Sequence, residues 1–307
     1  MSEDPSSEEM REIATRFAEL LHLVTHDGEA ERPKAMRYLL TDRLRDALDR
    51  RLPSIADDQP SFIANTFLVE AIAHRNERTE ISRLRHRDLG TLHALKTIRA
   101  DRADEAVSKT LLLREARISM TLCHANLAAV QCAIRLADGR PAIIMEWVGP
   151  SLSQQLAAGP ISLGDIRAAT RSLLAGLRAI HEAGFVHGDI SPANLLLCDD
   201  DFRRLKVIDF GTAVECGARH RDLDIAKAAT AGFSAPELSN DPTADPRADL
   251  YSAGCVMNLL LDHCVDHHGR TDETAVRLKA VAQRLADQSP SSRPPTAKAA
   301  LALMDED

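Results

Sequence analysis

Two short words in the second half of the chain restrict its fold more than any other feature: Val186-His-Gly-Asp-Ile-Ser-Pro-Ala-Asn194, and then Val207-Ile-Asp-Phe-Gly211. The apolar runs at 194–197 and 205–208 read as short strands, so Asp189 and Asn194 share one tight loop and Asp209 ends the next strand beside it. A chain with this pattern brings two carboxylates and an amide oxygen to one spot. Hard divalent cations such as Mg2+ take oxygen ligands, a few from protein and the rest from water and phosphate. Asp209 and Asn194 offer such oxygens, which leaves Asp189 to accept a hydroxyl proton. Asp-Phe-Gly alone recurs by chance; its specificity comes from His187, Asp189 and Asn194 at this spacing upstream.

The rest of the chain falls into three stretches. Residues 1–64 read as a helical hairpin. Ser6 and Glu9 form a capping-box signature, and Met10, Ile13, Phe17, Leu20, Leu21 and Val24 share a face. After a break at His26-Asp-Gly28, a second stripe runs through Met36, Leu40, Leu44, Leu48 and Leu52. Residues 65–148 carry strand-like runs at 67–69, 81–84, 92–98, 128–134 and 142–145, with a hairpin signal at Asp138-Gly139. One helix, near 102–120, places Ala106, Leu113 and Ala116 to one side. Residues 149–307 are rich in helix: one is opened by Ser162 and closed at Gly184, and others lie near 247–262, 272–287 and 295–304. The expected architecture is α+β, a small antiparallel β-rich lobe at 65–148 and a larger helical lobe at 149–307. A helical extension precedes them at 1–64, and the cleft between lobes is the place for a ligand.

In this order the words resemble those of the eukaryotic-type protein Ser/Thr kinases, over roughly residues 65–307. Further matches are Ala94-Leu-Lys96-Thr-Ile98, Arg114-Glu115-Ala116, Ala229-Thr-Ala-Gly-Phe-Ser-Ala-Pro-Glu237, Asp249-Leu-Tyr-Ser-Ala-Gly254 and Arg293-Pro-Pro-Thr-Ala297. The resemblance implies a bilobal fold that binds ATP and Mg2+ and transfers the γ-phosphoryl group to a Ser or Thr hydroxyl of a protein. It implies Asp189 as catalytic base, Asn194 and Asp209 as metal ligands, and Lys96 on the α and β phosphates, oriented by Glu115. It also places Met145, Glu146, Trp147 and Val148 on the adenine-binding hinge, Leu196 beneath the base, and Ala94 and Ile81 among the nucleotide-binding positions.

Three positions depart from the family pattern. The glycine-rich phosphate loop falls at His74-Arg-Asn-Glu-Arg-Thr-Glu-Ile81 and contains no glycine. Gly188 stands where most of the family has Arg, so switching by phosphorylation of Thr212 or Thr230 is expected less than in kinases with that Arg; Thr230 is expected to shape the substrate site. Ser191 stands at the catalytic-loop position where these kinases usually carry Lys. Two other readings follow: a pseudokinase serving as a nucleotide-binding or protein-interaction scaffold, and a small-molecule phosphotransferase. The second resembles the aminoglycoside kinases through His-Gly-Asp with a following Pro, but those lack a long segment ending in Ala-Pro-Glu.

Composition narrows the partners. With 38 basic against 46 acidic residues the net charge is -8, which argues against a coat for nucleic acid or anionic membrane. No apolar run approaches the ~20 residues of a membrane span, and the acidic start does not read as a secretory signal. A soluble, cytoplasmic protein is expected, acting on ATP and a protein substrate, with a possible partner protein for the N-terminal helices. The six cysteines show no C-x-x-C spacing and read as reduced thiols. The run Asp262-His-Cys-Val-Asp-His-His268 reads as a helix end favoured by the dipole rather than as a zinc site.

Overall fold

The computed structural model describes residues 7–49, 62–64, 66–219, 230–240, 243–265 and 273–305. The chain divides into two compact units, residues 1–59 with 137–139 and residues 60–136 with 140–307. In the first, helix α1 (Ser7–Thr25) leads through a ribbon of β1 (His26–Asp27) and β2 (Ala30–Glu31) into helix α2 (Lys34–Asp49). The break expected at 26–28 is therefore a tight hairpin, turned by Gly28 at φ +66°, where glycine meets no Cβ penalty. Ser6 and Leu52, at the outer ends of the expected helical pair, lie outside the described residues.

The second unit opens with a six-stranded antiparallel sheet in the order β3-β4-β5-β6-β8-β7. Its strands are β3 (Phe62–Ile63), β4 (Phe67–Arg75), β5 (Thr79–His86), β6 (Leu92–Ile98), β7 (Val130–Arg135) and β8 (Pro141–Glu146). Successive residues of a strand point to opposite faces, and β8 uses both. Ala142 and Ile144 pack with Leu84 and Leu95 on one side. Ile143 packs on the other with Ile98 and with Leu112 and Ala116 of helix α3 (Ala106–Thr121).

Of the face expected to be buried on α3, Ala116 is buried and the other two residues are not. Ser108, Leu112, Glu115, Ala116 and Ser119 are buried, whereas Ala106 is exposed and Leu113 is 41% exposed. The buried stripe has helical spacing but is half polar, so apolar periodicity does not reveal it.

The helical part contains α4 (Leu152–Ala158), α5 (Leu163–Glu182), α6 (Arg247–Asp262), α7 (Glu273–Leu285) and α8 (Ala297–Leu303). Ser162 caps α5 by accepting the Asp165 N–H at 3.1 Å, and Ile166, Ala169, Leu173, Leu177 and Ile180 run down its buried side. Two ribbons lie between α5 and α6: β9 (Phe185–Val186) pairs with β12 (Val214–Glu215), and β10 (Leu195–Cys198) with β11 (Asp201–Val207). Asp199 and Asp200 turn the second ribbon with both φ positive, at +53° and +57°, the conformation of a two-residue hairpin matched to strand twist. Its register places Leu195 opposite Val207, and the Ile208 N–H donates to the Asn194 carbonyl at 3.0 Å. Asn194 and Asp209 are thereby brought to the same end of one ribbon.

Candidate active site

Lys96 lies on β6, opposite Ile81 on β5 and Ile143 on β8, and is buried. A buried ammonium needs compensating charge, and two acids supply it. Nζ donates to Glu115 Oε1 of α3 at 2.8 Å and to Asp209 Oδ1 at 2.8 Å. Burial works against the Lys96 charge, but the carboxylates of Asp209 and Glu115 more than reverse this and raise its pKa. For Glu115 burial dominates, and the carboxyl is pushed up to about 7 despite Lys96. Burial also opposes ionisation of Asp209; the Lys96 ammonium and the Gly211 amide outweigh it and hold that carboxyl at about 2. Asp209 has φ +66°, an uncommon conformation for a residue with a side chain, and its Oδ1 also accepts the Gly211 N–H at 3.1 Å.

The loop between β9 and β10 carries Asp189 and Asn194. Asn194 Nδ2 donates to Asp189 Oδ2 at 2.8 Å and to its carbonyl at 2.9 Å, while Thr230 Oγ1 donates to Asp189 Oδ1 at 2.7 Å. Both carboxylate oxygens of Asp189 are thus held. Beneath the loop, Asp249 of α6 accepts the N–H groups of His187 at 2.8 Å and Gly188 at 2.9 Å, and its Oδ2 is 2.9 Å from His181 Nε2 of α5. Gly188 takes φ +79°, which gives a physical reason for glycine at this position. Ser191 is only 1% exposed, and its carbonyl accepts the Asn194 N–H at 3.0 Å.

At the other side of the cleft, Ala94 pairs with Met145, which continues through Glu146 and Trp147 to the buried Val148. Gly149 follows because a Cβ there would lie 2.4 Å from the Leu197 carbonyl oxygen. Leu196 bridges to Ser151, and the Leu197 N–H donates to the Pro150 carbonyl at 2.9 Å, so residues 150 and 151 run alongside β10. The Glu146 carboxylate accepts the Ala129 N–H at 2.7 Å and Lys206 Nζ of β11 at 2.6 Å, joining the sheet to the helical part.

Sequence alone does not single out Lys206 or His181, because an isolated Lys on a strand and an isolated His on a helix carry no spacing signal. Arg114, which donates to the Ala213 carbonyl, adjoins Glu115 in a quoted word without a role. The late word at Arg293 is realised as a two-pronged contact, with Nη1 and Nη2 on Glu237 at 2.6 and 2.9 Å. Of the run at 262–268, His263 Nδ1 lies 2.9 Å from the Leu259 carbonyl, and 266–268 lie outside the described residues. No group of three or more His, Cys, Asp or Glu able to hold a metal occurs among the described residues.

The donor chemistry around Asp209 and Asn194 fits a hard cation. Asp209 Oδ1 serves Lys96 and Gly211, and Asn194 uses its Nδ2 on Asp189; each residue thereby keeps a side-chain oxygen for another ligand. An ammonium paired with two carboxylates, and a third carboxylate held by an amide and a hydroxyl, are the kinds of groups that phosphoryl transfer uses.

Comparison with known proteins agrees with this geometry. The protein kinase domain family matches residues 77–305. A probable serine/threonine-protein kinase of Streptomyces coelicolor is 31% identical over 211 residues, covering 66% of this chain and 31% of that protein. The serine/threonine-protein kinase PknL of Mycobacterium tuberculosis is 35% identical over 171 residues, 55% of this chain and 42% of its own length. The chain thus spans less than half the length of these curated relatives. The crystal structure of the Mycobacterium tuberculosis PknI kinase domain superposes with a TM-score of 0.59 at 22% identity, over 82% of this chain and 99% of that one, and shows the same fold. Among the described residues no helix is long and apolar enough to cross a membrane. From the matched family and the fold together, the chain belongs to the protein kinase domain family.

Proposed function

We propose that this chain is an ATP-dependent protein serine/threonine kinase. The observation that carries the reading is the meeting of Lys96 with Glu115 and Asp209, each at 2.8 Å, beside an Asp189 whose carboxylate is oriented by Asn194 and Thr230. Asp189 takes the proton of the substrate hydroxyl while that oxygen bonds to the γ phosphorus and the bond to the β–γ bridging oxygen breaks, leaving ADP. Lys96, positioned by Glu115, holds the α and β phosphates, and Met145 to Val148 with Ala94, Ile81 and Leu196 receive the adenine. Asp209 and Asn194 would hold Mg2+, which would neutralise charge on the phosphate oxygens. Ser191 is 1% exposed and carries no charge where these kinases usually have Lys, so that position supplies no positive charge.

The Ser/Thr assignment is supported by the names of the curated relatives and by the Thr230 contact. The scaffold reading is not favoured, because the lysine, both acids, the base and the amide are all assembled. For residues 1–64 the proposal is a helical extension whose exposed Ile13 and Phe17 are the apolar surface open to a partner protein. The test is transfer of labelled γ phosphate from ATP to a generic protein substrate, with Asp189→Asn in parallel. Transfer that disappears in the variant supports the kinase; transfer that persists, or passes only to hydroxylated small molecules, contradicts it.

A further inference from the structure

The hairpin between β4 and β5 lies where a kinase loop would cover the phosphates, but the amides of Asn76, Arg78 and Thr79 at its tip are already used. Strand pairing continues to Arg75 opposite Glu80, with their side chains joined at 2.9 Å, and the Asn76 N–H donates to the Thr79 carbonyl at 3.0 Å. Asn76 Oδ1 accepts the N–H of Arg78 at 2.9 Å, the N–H of Thr79 at 2.7 Å and the Thr79 hydroxyl at 3.2 Å. This is a side chain imitating a turn carbonyl, a common use of Asn at a loop tip.

The tip carbonyls are tied down as well. The Arg99 N–H donates to the Arg78 carbonyl at 2.9 Å and Arg99 Nη1 to the Asn76 carbonyl at 3.3 Å, and Asp101 holds the same guanidinium at 2.8 and 2.9 Å. A phosphate cradle needs free N–H groups on a backbone able to approach the ligand. Those of Asn76, Arg78 and Thr79 are spent inside the hairpin, and the remaining tip residue, Glu77, brings a carboxylate that would repel a triphosphate.

We infer that Asn76 locks the hairpin tip out of phosphate binding, so that the nucleotide is held by its base, Lys96 and the metal-binding residues alone. The inference rests on the kinase reading above and adds a specificity: this site grades adenosine, ADP and ATP weakly. An amide hydrogen bond to a charged phosphate is worth about tenfold to a hundredfold in affinity, so a chain without that cradle lacks this part of the gain from added phosphates. Asn76 is a positioning residue. Replacing it with Gly frees the two amides and gives the tip the backbone freedom its sequence denies it.

The experiment has two readouts on the full chain: amide hydrogen exchange at Arg78 and Thr79, and calorimetric affinities for adenosine, ADP and ATP with Mg2+. Wild type is expected to protect both amides and to bind ATP less than about a hundredfold tighter than adenosine, the gain coming from Lys96 and the metal-binding residues. Asn76→Gly is expected to lose the protection and to tighten ATP about tenfold while leaving adenosine unchanged. Rapid exchange in wild type, or ATP bound more than about a hundredfold tighter than adenosine, overturns the inference. If neither adenosine nor ATP binds, the kinase reading fails, and exchange at the two amides still decides whether the tip is locked.

Discussion

Lys96 and Asp209 are 113 residues apart in sequence, yet Nζ and Oδ1 lie 2.8 Å apart, with Glu115 at the same distance from the same nitrogen. One buried ammonium therefore serves two acids, the buried Glu115 and the partly exposed Asp209. Removing it leaves charge without a partner. Lys96→Met is expected to destabilise the fold by about 3 kcal/mol, and Lys96→Met with Glu115→Gln by clearly less, because the second change removes the orphaned carboxylate. Urea midpoints of the two singles and the double measure this coupling. Additive losses would show that the pair is not coupled.

Thr230 and Asn194 each hold one oxygen of Asp189. Thr230→Val removes one donor and is expected to lower kcat by about tenfold with the KM for ATP nearly unchanged, whereas Thr230→Ser restores most of the rate. Steady-state kinetics on both variants provide the check. An equal loss in Ser and Val would place the effect in packing instead of the hydroxyl.

The Asp249 carboxylate supports the loop below Asp189. Burial disfavours its charge, but His181 and the backbone N–H of Gly188 outweigh this and hold its pKa below the usual carboxylate value. A carboxyl with a depressed folded pKa contributes stability that is present above its unfolded pKa and is lost as the pH falls through the folded one. Stability should therefore decline below about pH 4. Asp249→Asn should be less stable at pH 7 and show a shallower decline in acid, readable from urea midpoints across that window.

Gly254 in α6 has no room for a side chain. A Cβ would meet Ala286 N at 2.6 Å, Leu285 Cβ at 2.8 Å and the Ala282 carbonyl oxygen at 2.9 Å, two of them backbone atoms at the end of α7 and beyond it. Gly254→Ala is expected to cost about 1–3 kcal/mol despite the better helix propensity of Ala. Thermal unfolding of the variant gives the value.

The placement of Asn194 and Asp209 was legible because it depends on spacing that a tight ribbon enforces. Asp189, Asn194 and Asp209 could be assigned to one spot from two words, and the ribbon register places Asn194 and Asp209 at its end. Strands of two residues, such as Phe62–Ile63, Phe185–Val186 and Val214–Glu215, are too short to show a period of two and went unread. Helix α4 had a usable signal in the Ser151 and Gln154 capping box, which a search guided by apolar stripes passes over. The orientation of α3 was legible only through the resemblance, which turns Glu115 toward Lys96; the apolar stripe alone misplaces Ala106 and Leu113, because three of the buried positions, Ser108, Glu115 and Ser119, are polar. The absence of glycine at 74–81 was plain in the sequence; that Asn76 consumes the amides there required coordinates.

The most direct measurement is calorimetric titration of ATP into wild type and Asp209→Asn, with and without Mg2+. The account predicts saturable binding to wild type that Mg2+ strengthens, and loss of that Mg2+ effect in Asp209→Asn while adenosine binds both alike. Failure of wild type to bind ATP, or an undiminished Mg2+ effect in the variant, would contradict it.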